Sequence, residues 1–275
     1  MTDIMGKTLK KIGKLVALLE DSVTVKYFSI VKKWPCDKKV YLMVGSESSG
    51  TTAIANLLFL EIPGFRFLEE GEQQWVWEVY QDVYRKTKKI SDYPKLVLFD
   101  AIKVPGFATI IPEFKKEFPR SKVIYIVRDP RDYVNSAIKT WKVSSVEELS
   151  SVSWVKENWL NIKAIDPIER LALRWQKYIT AAMRNKDVFF VRYEDFCVDK
   201  VVTIEKIAMN MELPFNKMRV SKLCDKQLCH KSVRAYKPQG PGGWRVGLLN
   251  KAHIAKIENI CRTEMLHWGY KLSIK

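Results

Sequence analysis

The sequence predicts a single α/β domain in which helices cover both faces of a central parallel β-sheet of roughly four or five strands. Two observations support this fold class. Short apolar runs typical of buried strands alternate along the chain with segments in which apolar residues recur at helical spacing. The 275 residues, 47% of them hydrophobic, include no repeat, no low-complexity segment and no linker that would divide a domain. We therefore expect residues 40–275 to form one domain.

Residues 1–39 are expected to form an amphipathic helical extension that packs on this domain. Between residues 4 and 20, apolar residues recur at helical spacing and lysines stand between them. The apolar run Leu15–Leu19 is too short to span a bilayer and lacks a small-residue cleavage site. We expect no stable membrane insertion, although a helix lying on a membrane surface remains the alternative.

The predicted strands and helices then alternate. Four apolar runs are predicted as buried strands, at residues 40–44, 96–99, 123–127 and 188–192. Helical patterns lie around residues 51–60, 73–89, 107–118, 131–141, 168–184 and 200–211. Because ligands bind beyond the C-terminal ends of parallel strands, the residues that follow these runs are the candidates for a site.

Charge is the unusual feature of the composition. The chain has 47 Lys and Arg against 31 Asp and Glu, a formal net charge of +16 at pH 7. Such a surplus attracts nucleic acid, acidic membrane or a multiply phosphorylated cofactor. The basic residues are spread without a nucleic-acid recognition module, so we expect no nucleic-acid partner. The five cysteines form no CxxC pair, which predicts reduced thiols, no metal site and a cytoplasmic location.

A glycine-bounded loop follows the first predicted strand. Residues 45–52, Gly-Ser-Glu-Ser-Ser-Gly-Thr-Thr, lead into a helix, an arrangement that presents backbone N–H groups to a phosphate. The spacing is that of a P-loop, but Thr51 stands where a nucleotide triphosphatase needs its lysine. A P-loop kinase or hydrolase, with Asp100 as its magnesium ligand, is therefore an alternative that the missing lysine disfavours. A tight turn without a ligand is the structural alternative.

A second motif follows strand 123–127. Arg128-Asp-Pro-Arg-Asp-Tyr-Val-Asn-Ser136 places an arginine at the strand tip and a serine about two turns into the next helix. An anion between them could receive a guanidinium and a hydroxyl together. A surface cluster of salt bridges is the alternative interpretation.

Together the two motifs resemble those of the sulfotransferases that use 3′-phosphoadenosine-5′-phosphosulfate (PAPS), over roughly residues 40–250. The resemblance implies a P-loop-like sulfotransferase fold and PAPS as co-substrate, with 3′-phosphoadenosine-5′-phosphate (PAP) as product and no metal. It implies that the loop holds the 5′-phosphate and the second motif the 3′-phosphate. The residues concerned are Ser48, Ser49, Gly50, Thr51 and Thr52 for the 5′-phosphate, and Arg128 and Ser136 for the 3′-phosphate.

Two further segments resemble the family. Val191–Asp195 is similar to its Tyr-Glu-Asp segment, which implies that Tyr193 lies beside the adenine; an aromatic core residue is the alternative. The glycine-rich segment that begins at Lys237 and includes Trp244 resembles the loop that closes over the 3′-phosphate. That match is partial, because Pro238 replaces a basic residue, and a surface loop is the alternative.

The catalytic residues depart from the family pattern. Charge builds on the departing phosphate oxygen, so a cation is needed there, together with a base for the acceptor proton. Many members carry a Lys or Arg where this chain has Ser48. We predict Lys103 as the compensating cation. By resemblance to members with a carboxylate base, we predict Glu70 as the base, then Glu69, with a solvated acidic turn as the alternative.

The acceptor is predicted to be a small molecule that is sulfonated on a hydroxyl or amine. Five carboxylates lie between residues 69 and 82 together with Trp75, Trp77 and Tyr80. Acidic groups and indole faces suit a cation, which leads to the hypothesis of a cationic natural product modified in a tailoring step. An amphipathic helix with inward tryptophans is the structural alternative, and a carbohydrate is the alternative acceptor. We expect a monomer or homodimer.

Overall fold

A computed structural model describes most of the chain. The described residues are 22–23, 25–26, 37–60, 62–70, 75–140, 145–146, 148–149, 152, 158–225 and 240–273. The helix predicted for residues 4–20 and the predicted ligand-binding residue Lys237 lie outside them.

The described residues form one parallel sheet of five strands, in the order β2-β3-β1-β4-β5. The strands are β1 (Tyr41–Gly45), β2 (Phe67–Glu69), β3 (Ala101–Lys103), β4 (Lys122–Val127) and β5 (Val188–Arg192). Continuous apolar runs produce β1 and β4 because both faces of these strands are covered. The predicted parallel sheet is confirmed.

The strand predicted at residues 96–99 is wrong. Pro94–Leu98 forms a 3₁₀ helix, and the strand begins after Asp100 instead. Pro94 occupies the first turn, where its missing N–H costs nothing, and Leu96 and Val97 turn into the core. A short apolar run cannot by its pattern alone distinguish a buried strand from a buried helical turn.

Nine α-helices lie among the described residues, and they cover both faces of the sheet. They are α1 (Thr51–Phe59), α2 (Trp75–Tyr84), α3 (Ile111–Glu117), α4 (Pro130–Thr140), α5 (Pro167–Met183), α6 (Tyr193–Val198), α7 (Lys200–Met211), α8 (Lys217–Asp225) and α9 (Lys251–His267). Asp166, Asp199 and Asn250 cap the N-termini of α5, α7 and α9 by accepting a backbone N–H. In the described part of the chain, no helix is both long and apolar enough to cross a membrane.

Each face of the sheet has its own hydrophobic core. Leu42 and Val44 of β1 belong to the larger core, which includes side chains of α2, α4, α5 and α9. Tyr41 and Met43 belong to the second core, which includes side chains of α1, α6 and α7. The alternation along β1 thus fixes the sheet between two layers of helices, and its C-terminal edge carries the candidate site.

Candidate active site

The loop at residues 45–52, called the phosphate loop below, joins β1 to α1 at the C-terminal edge of the sheet. Ser48 and Gly50 both adopt left-handed backbone angles, with φ of 60° and 84°. A Cβ atom at Gly50 would stand 2.3 Å from ring carbons of Tyr193, so only glycine fits there. Gly50 directly precedes α1 and has no side chain to cap it, so the first N–H groups of the helix can face an anion.

One hydroxyl of the phosphate loop is buried without a partner. Ser49 is fully buried, and among the described residues its Oγ has no hydrogen-bond partner. Buried polar groups are nearly always paired, so this hydroxyl calls for a group that the described part of the chain does not provide. A phosphate oxygen at the loop would satisfy it.

Arg128 links the two sequence motifs. It follows β4, it is buried, and its Nη1 donates to the carbonyl oxygen of Ser48 in the phosphate loop. Its guanidinium lies 4.6 Å from the ring centroid of Tyr193. Trp175 of α5 donates its indole N–H to the Arg128 carbonyl at 3.0 Å, which fixes the backbone at the strand tip. Burial raises the pKa of Tyr193 to about 12, so its hydroxyl is neutral.

Ser136 lies on α4 with its side chain half-buried. The contact of Ser136 and Arg128 with one anion stays a prediction, and so does the place of adenine beside Tyr193.

The charged residues around Arg131 are buried, so the interpretation of this motif as a surface cluster of salt bridges is wrong. The Arg131 guanidinium bonds the carboxylates of Asp129 and Glu258, each at 2.6 Å. It also donates to the Ser273 hydroxyl at 3.0 Å, near the C-terminal end of the chain. The backbone N–H of Asp129 donates to Glu194 at 3.0 Å. This network holds the tip of β4 rigidly beside the phosphate loop.

Asp132 fastens the segment that carries Trp244. Its carboxylate accepts the backbone N–H groups of Gly242 at 2.7 Å and Trp244 at 3.0 Å. The Trp244 ring contacts two guanidinium groups, with its centroid 4.3 Å from that of Arg131 and 4.5 Å from that of Arg245. The predicted ligand-binding residue Trp244 therefore has a structural role in this state, which sequence reasoning missed. Arg131 and Asp132, directly after Pro130, were the signal in the sequence that could have indicated these contacts.

Two of the predicted catalytic residues, Glu69 and Lys103, lie on adjacent strands, and Glu70 directly follows the first of these strands. Glu69 and Lys103 are register partners of β2 and β3, and Lys103 Nζ donates to Glu69 Oε1 at 3.2 Å. Both side chains are buried, with 7% and 6% of their surface exposed. Thr52 donates its hydroxyl to the same carboxylate oxygen at 2.9 Å. Glu69 is thus occupied as an acceptor, and it connects Lys103 to the start of α1.

Glu70, the predicted base, directly follows β2. Its backbone N–H bonds the Lys103 carbonyl at 3.1 Å, which places it beyond the end of β2. Burial raises the pKa of its carboxyl to about 7, although the charge of Lys103 opposes the rise. A carboxyl that titrates near neutral pH can accept a proton from a bound acceptor. The choice of Glu70 over Glu69 as base stays a prediction.

Sequence reasoning missed a polar cluster that joins Glu47 of the phosphate loop to Arg174 and Tyr178 of α5. Tyr178 donates its hydroxyl to Glu47 Oε1 at 2.9 Å. Arg174 lies one turn earlier on the same helix face, only 3% exposed, and its charge interacts favourably with Glu47. The spacing of Arg174 and Tyr178 was the available signal, although such a pattern also fits an ordinary amphipathic helix.

The acidic and aromatic stretch includes the amphipathic helix of the structural alternative, but its tryptophans do not both pack inward as that alternative expected. On α2, Val76, Val79 and Tyr80 face the core, while Trp77 is exposed. Trp75 lies about 200° of helix rotation from Trp77, and its ring is 5.9 Å from the ammonium of Lys95. The two indoles therefore do not form one cage for a cation.

Asp100 is at the wrong edge of the sheet for a magnesium ligand. It precedes β3, whereas the phosphate loop follows β1, which is parallel to β3. Its carboxylate accepts the Arg66 N–H at 2.9 Å and pairs with Lys38 at 3.3 Å. Asp100 therefore cannot be the magnesium ligand that the P-loop kinase alternative requires.

Known structures share this fold. Sulfotransferase STF9 from Mycobacterium avium aligns with a TM-score of 0.53 and 14% identity, over 92% of this chain and 83% of that one. Mouse sulfotransferase SULT7A1, solved in complex with PAP, aligns with a TM-score of 0.52 and 15% identity, over 85% and 86%. The sulfotransferase domain from the curacin biosynthetic pathway gives a TM-score of 0.51 and 15% identity, over 85% and 98%.

Sequence comparison identifies the family itself. No curated protein sequence matches the chain significantly. The family model described as "Sulfotransferase family" matches residues 61–217, more than half of the chain. With the five-stranded sheet and the strand-end site on one edge, this match shows that the chain is a member of the sulfotransferase family.

Proposed function

We propose that this sulfotransferase takes its sulfonate group from PAPS and releases PAP. The observation that carries the proposal is the convergence of the phosphate loop, Arg128 and Tyr193 at one edge of the sheet. The unpartnered hydroxyl of Ser49 and the Nε of Arg128, which also has no partner among the described residues, suit an anionic ligand. The PAP complex of mouse SULT7A1 supports the same ligand class here.

The binding roles follow from position. The N–H groups at the start of α1 and the hydroxyls of the phosphate loop would hold the 5′-phosphate. Arg128 and Ser136 would hold the 3′-phosphate, and Tyr193 would contact the adenine. The proposed ligand-contacting residues are Ser48, Ser49, Gly50, Thr51, Thr52, Arg128, Ser136, Tyr193, Lys237 and Trp244.

The chemistry assigns two further roles. Bound PAPS supplies a sulfonate that an acceptor oxygen or nitrogen attacks, while negative charge develops on the departing 5′-phosphate oxygen. Glu70, with its pKa near 7, accepts the acceptor proton. Lys103 stabilises the developing charge, and Glu69 and Thr52 orient it through the hydrogen bonds described above.

The acceptor is a small molecule in this proposal, and a cationic natural product modified in a tailoring step remains the specific hypothesis. Trp75 and Trp77 point apart, so they do not support a cationic acceptor. The hypothesis is supported instead by two carboxylates, Glu47 and Glu70, because the charge of Glu47 is near enough to raise the pKa of Glu70. We propose that residues 40–275 act as one cytoplasmic domain, monomeric or homodimeric, with residues 1–39 as an extension.

Ligand binding tests the donor. Calorimetry with PAP, adenosine 5′-phosphosulfate and ATP with magnesium should give the tightest binding for PAP. At a hundredfold excess over its dissociation constant, PAP should stabilise the fold by about 2.7 kcal/mol. Tighter binding of ATP with magnesium would overturn the proposal. A panel of amines, guanidines, phenols, sterols and sugars, assayed with labelled PAPS, would then identify the acceptor class.

A further inference from the structure

The phosphate loop has no cation of its own. Glu47 is the one charged residue among its eight residues, so the loop's own side chains bring a negative charge to the place where a phosphate should bind. Ser48 offers only a hydroxyl, and its carbonyl is already bonded by Arg128. An anionic ligand at this loop, and still more a departing phosphate oxygen, therefore needs a positive charge from another element.

Helix α5 presents one face to this loop. Tyr178 reaches Glu47 Oε1 at 2.9 Å, and Trp175 reaches the carbonyl of Arg128 at 3.0 Å. Arg174 stands four residues before Tyr178 and therefore on the same side of the helix. These contacts place Arg174, which is only 3% exposed, on the side of α5 that faces the phosphate loop.

Arg174 brings a lasting positive charge to this side of the loop. An arginine stays protonated even when buried. The charge of Arg174 acts on both Glu47 and Glu70, so the guanidinium is near both carboxylates. Glu47 has the Tyr178 hydroxyl as a second partner, and it can share the guanidinium with an incoming anion.

We infer that Arg174 supplies, from α5, a second cation that acts with Lys103 to stabilise the departing 5′-phosphate oxygen. This inference rests on the proposed function. The acceptor oxygen or nitrogen forms a bond to sulfur while the bond between sulfur and the 5′-phosphate oxygen breaks. The electron pair of the broken bond stays on that oxygen, which Arg174 contacts, and the acceptor proton passes to Glu70.

Among the described residues, Lys103 and Arg128 are two other cations near the loop, and they have different places. Lys103 is held by Glu69 on the β2–β3 side of the site. Arg128 stacks on Tyr193, toward the proposed adenosine end. Arg174 is the cation that approaches from the side of Glu47, so it complements both.

Binding of PAP and of adenosine 3′-phosphate, measured by calorimetry, tests the inference without any acceptor. PAP carries the fully charged 5′-phosphate that the reaction produces, and adenosine 3′-phosphate lacks it. Arg174→Gln should weaken PAP about 10- to 100-fold, as expected for one charge-assisted hydrogen bond, and leave adenosine 3′-phosphate unchanged. Lys177→Gln, on the exposed face of the same helix, should change neither affinity.

Restoring a loop cation gives the decisive comparison. Ser48→Lys in the Arg174→Gln background should recover most of the lost PAP affinity, which a purely structural role of Arg174 would not allow. In the wild-type background the same change should gain less than about threefold, because a cation is already present. The comparison of Ser48→Lys with the wild type can be made even if Arg174→Gln fails to fold.

Three outcomes would count against the role of Arg174. They are unchanged PAP affinity in a folded Arg174→Gln protein, equal losses for both ligands, and a full tenfold gain from Ser48→Lys in the wild type. If wild-type protein binds PAP no better than adenosine 3′-phosphate, the proposed function fails first.

Discussion

The buried pair of Lys103 and Glu69 allows a prediction about stability that is separate from catalysis. Replacing Lys103 by Met removes the ammonium that lies 3.2 Å from the Glu69 carboxylate. The hydrogen bond from the Thr52 hydroxyl to Glu69 Oε1 remains. Water can do little to replace the ammonium, because only 7% of Glu69 is exposed to solvent. Removing the cation beside a buried carboxylate is costly, because water cannot solvate the charge that remains.

The expected loss is about 3–5 kcal/mol in the free energy of unfolding, the usual cost of removing one partner from a buried ion pair. For a chain of this size, a loss of that order corresponds to a drop of roughly 6–15 °C in Tm. Denaturant unfolding at neutral pH, with unchanged slope, would measure it.

Two variants test the reasoning. Lys103→Met combined with Glu69→Leu should recover most of the loss, since no charge is then left buried. Lys115→Met removes a comparable pair with Asp187 at 2.6 Å, but there the carboxylate side chain is 79% exposed. That control should cost less than about 1 kcal/mol. Equal losses in Lys103→Met and Lys115→Met, or no recovery in the double variant, would refute the assignment of the cost to burial.

Three further predictions concern the site. Arg128→Ala should weaken PAP by about 1.5–3 kcal/mol and adenosine 5′-phosphosulfate far less, as calorimetry would show; equal losses would contradict a 3′-phosphate contact. Because Glu70 must be ionised to act as base, kcat/KM should rise with pH up to about 7 and then level off. Glu47→Gln should move that inflection to lower pH by removing a like charge, and an unmoved inflection in the pH–rate profile would argue against Glu70. Gly50→Ala should cost more than about 1 kcal/mol of stability in thermal unfolding, and more than Gly64→Ala, because both glycines have positive φ but only the first has a ring in the way of a Cβ.

The sequence was most informative where one local pattern determines the structure. The strands at 40–44 and 123–127 and the loop between β1 and α1 were predicted because apolar runs and glycines define them without reference to distant residues. The three-residue strand Phe67–Glu69 was missed, since it is too short for a recognisable alternation.

The same limit applies to the site. Residues directly after strands, such as Arg128 and Lys103, were found because parallel strands bring their ends together. Arg174 and Tyr178 were missed because only the packing of α5 on the sheet brings them to the phosphate loop, more than a hundred residues away in sequence. Burial also could not be predicted from the charged run at 128–132, which looks like surface in the sequence alone.

The contact between Arg131 and Ser273 has a consequence for how the protein is made. These residues are 142 positions apart, and Ser273 also donates its N–H to Glu258, the second carboxylate that holds Arg131. During synthesis, the sheet and the phosphate loop emerge long before Glu258 and Ser273 do. The contacts of Arg131 with Glu258 and Ser273 can therefore form only after α9 and the segment that follows it have been synthesised. Contacts of such long range form slowly. A ribosome-bound chain that lacks Glu258 and Ser273 would already contain all five strands of the sheet, but Arg131 would lack these two partners.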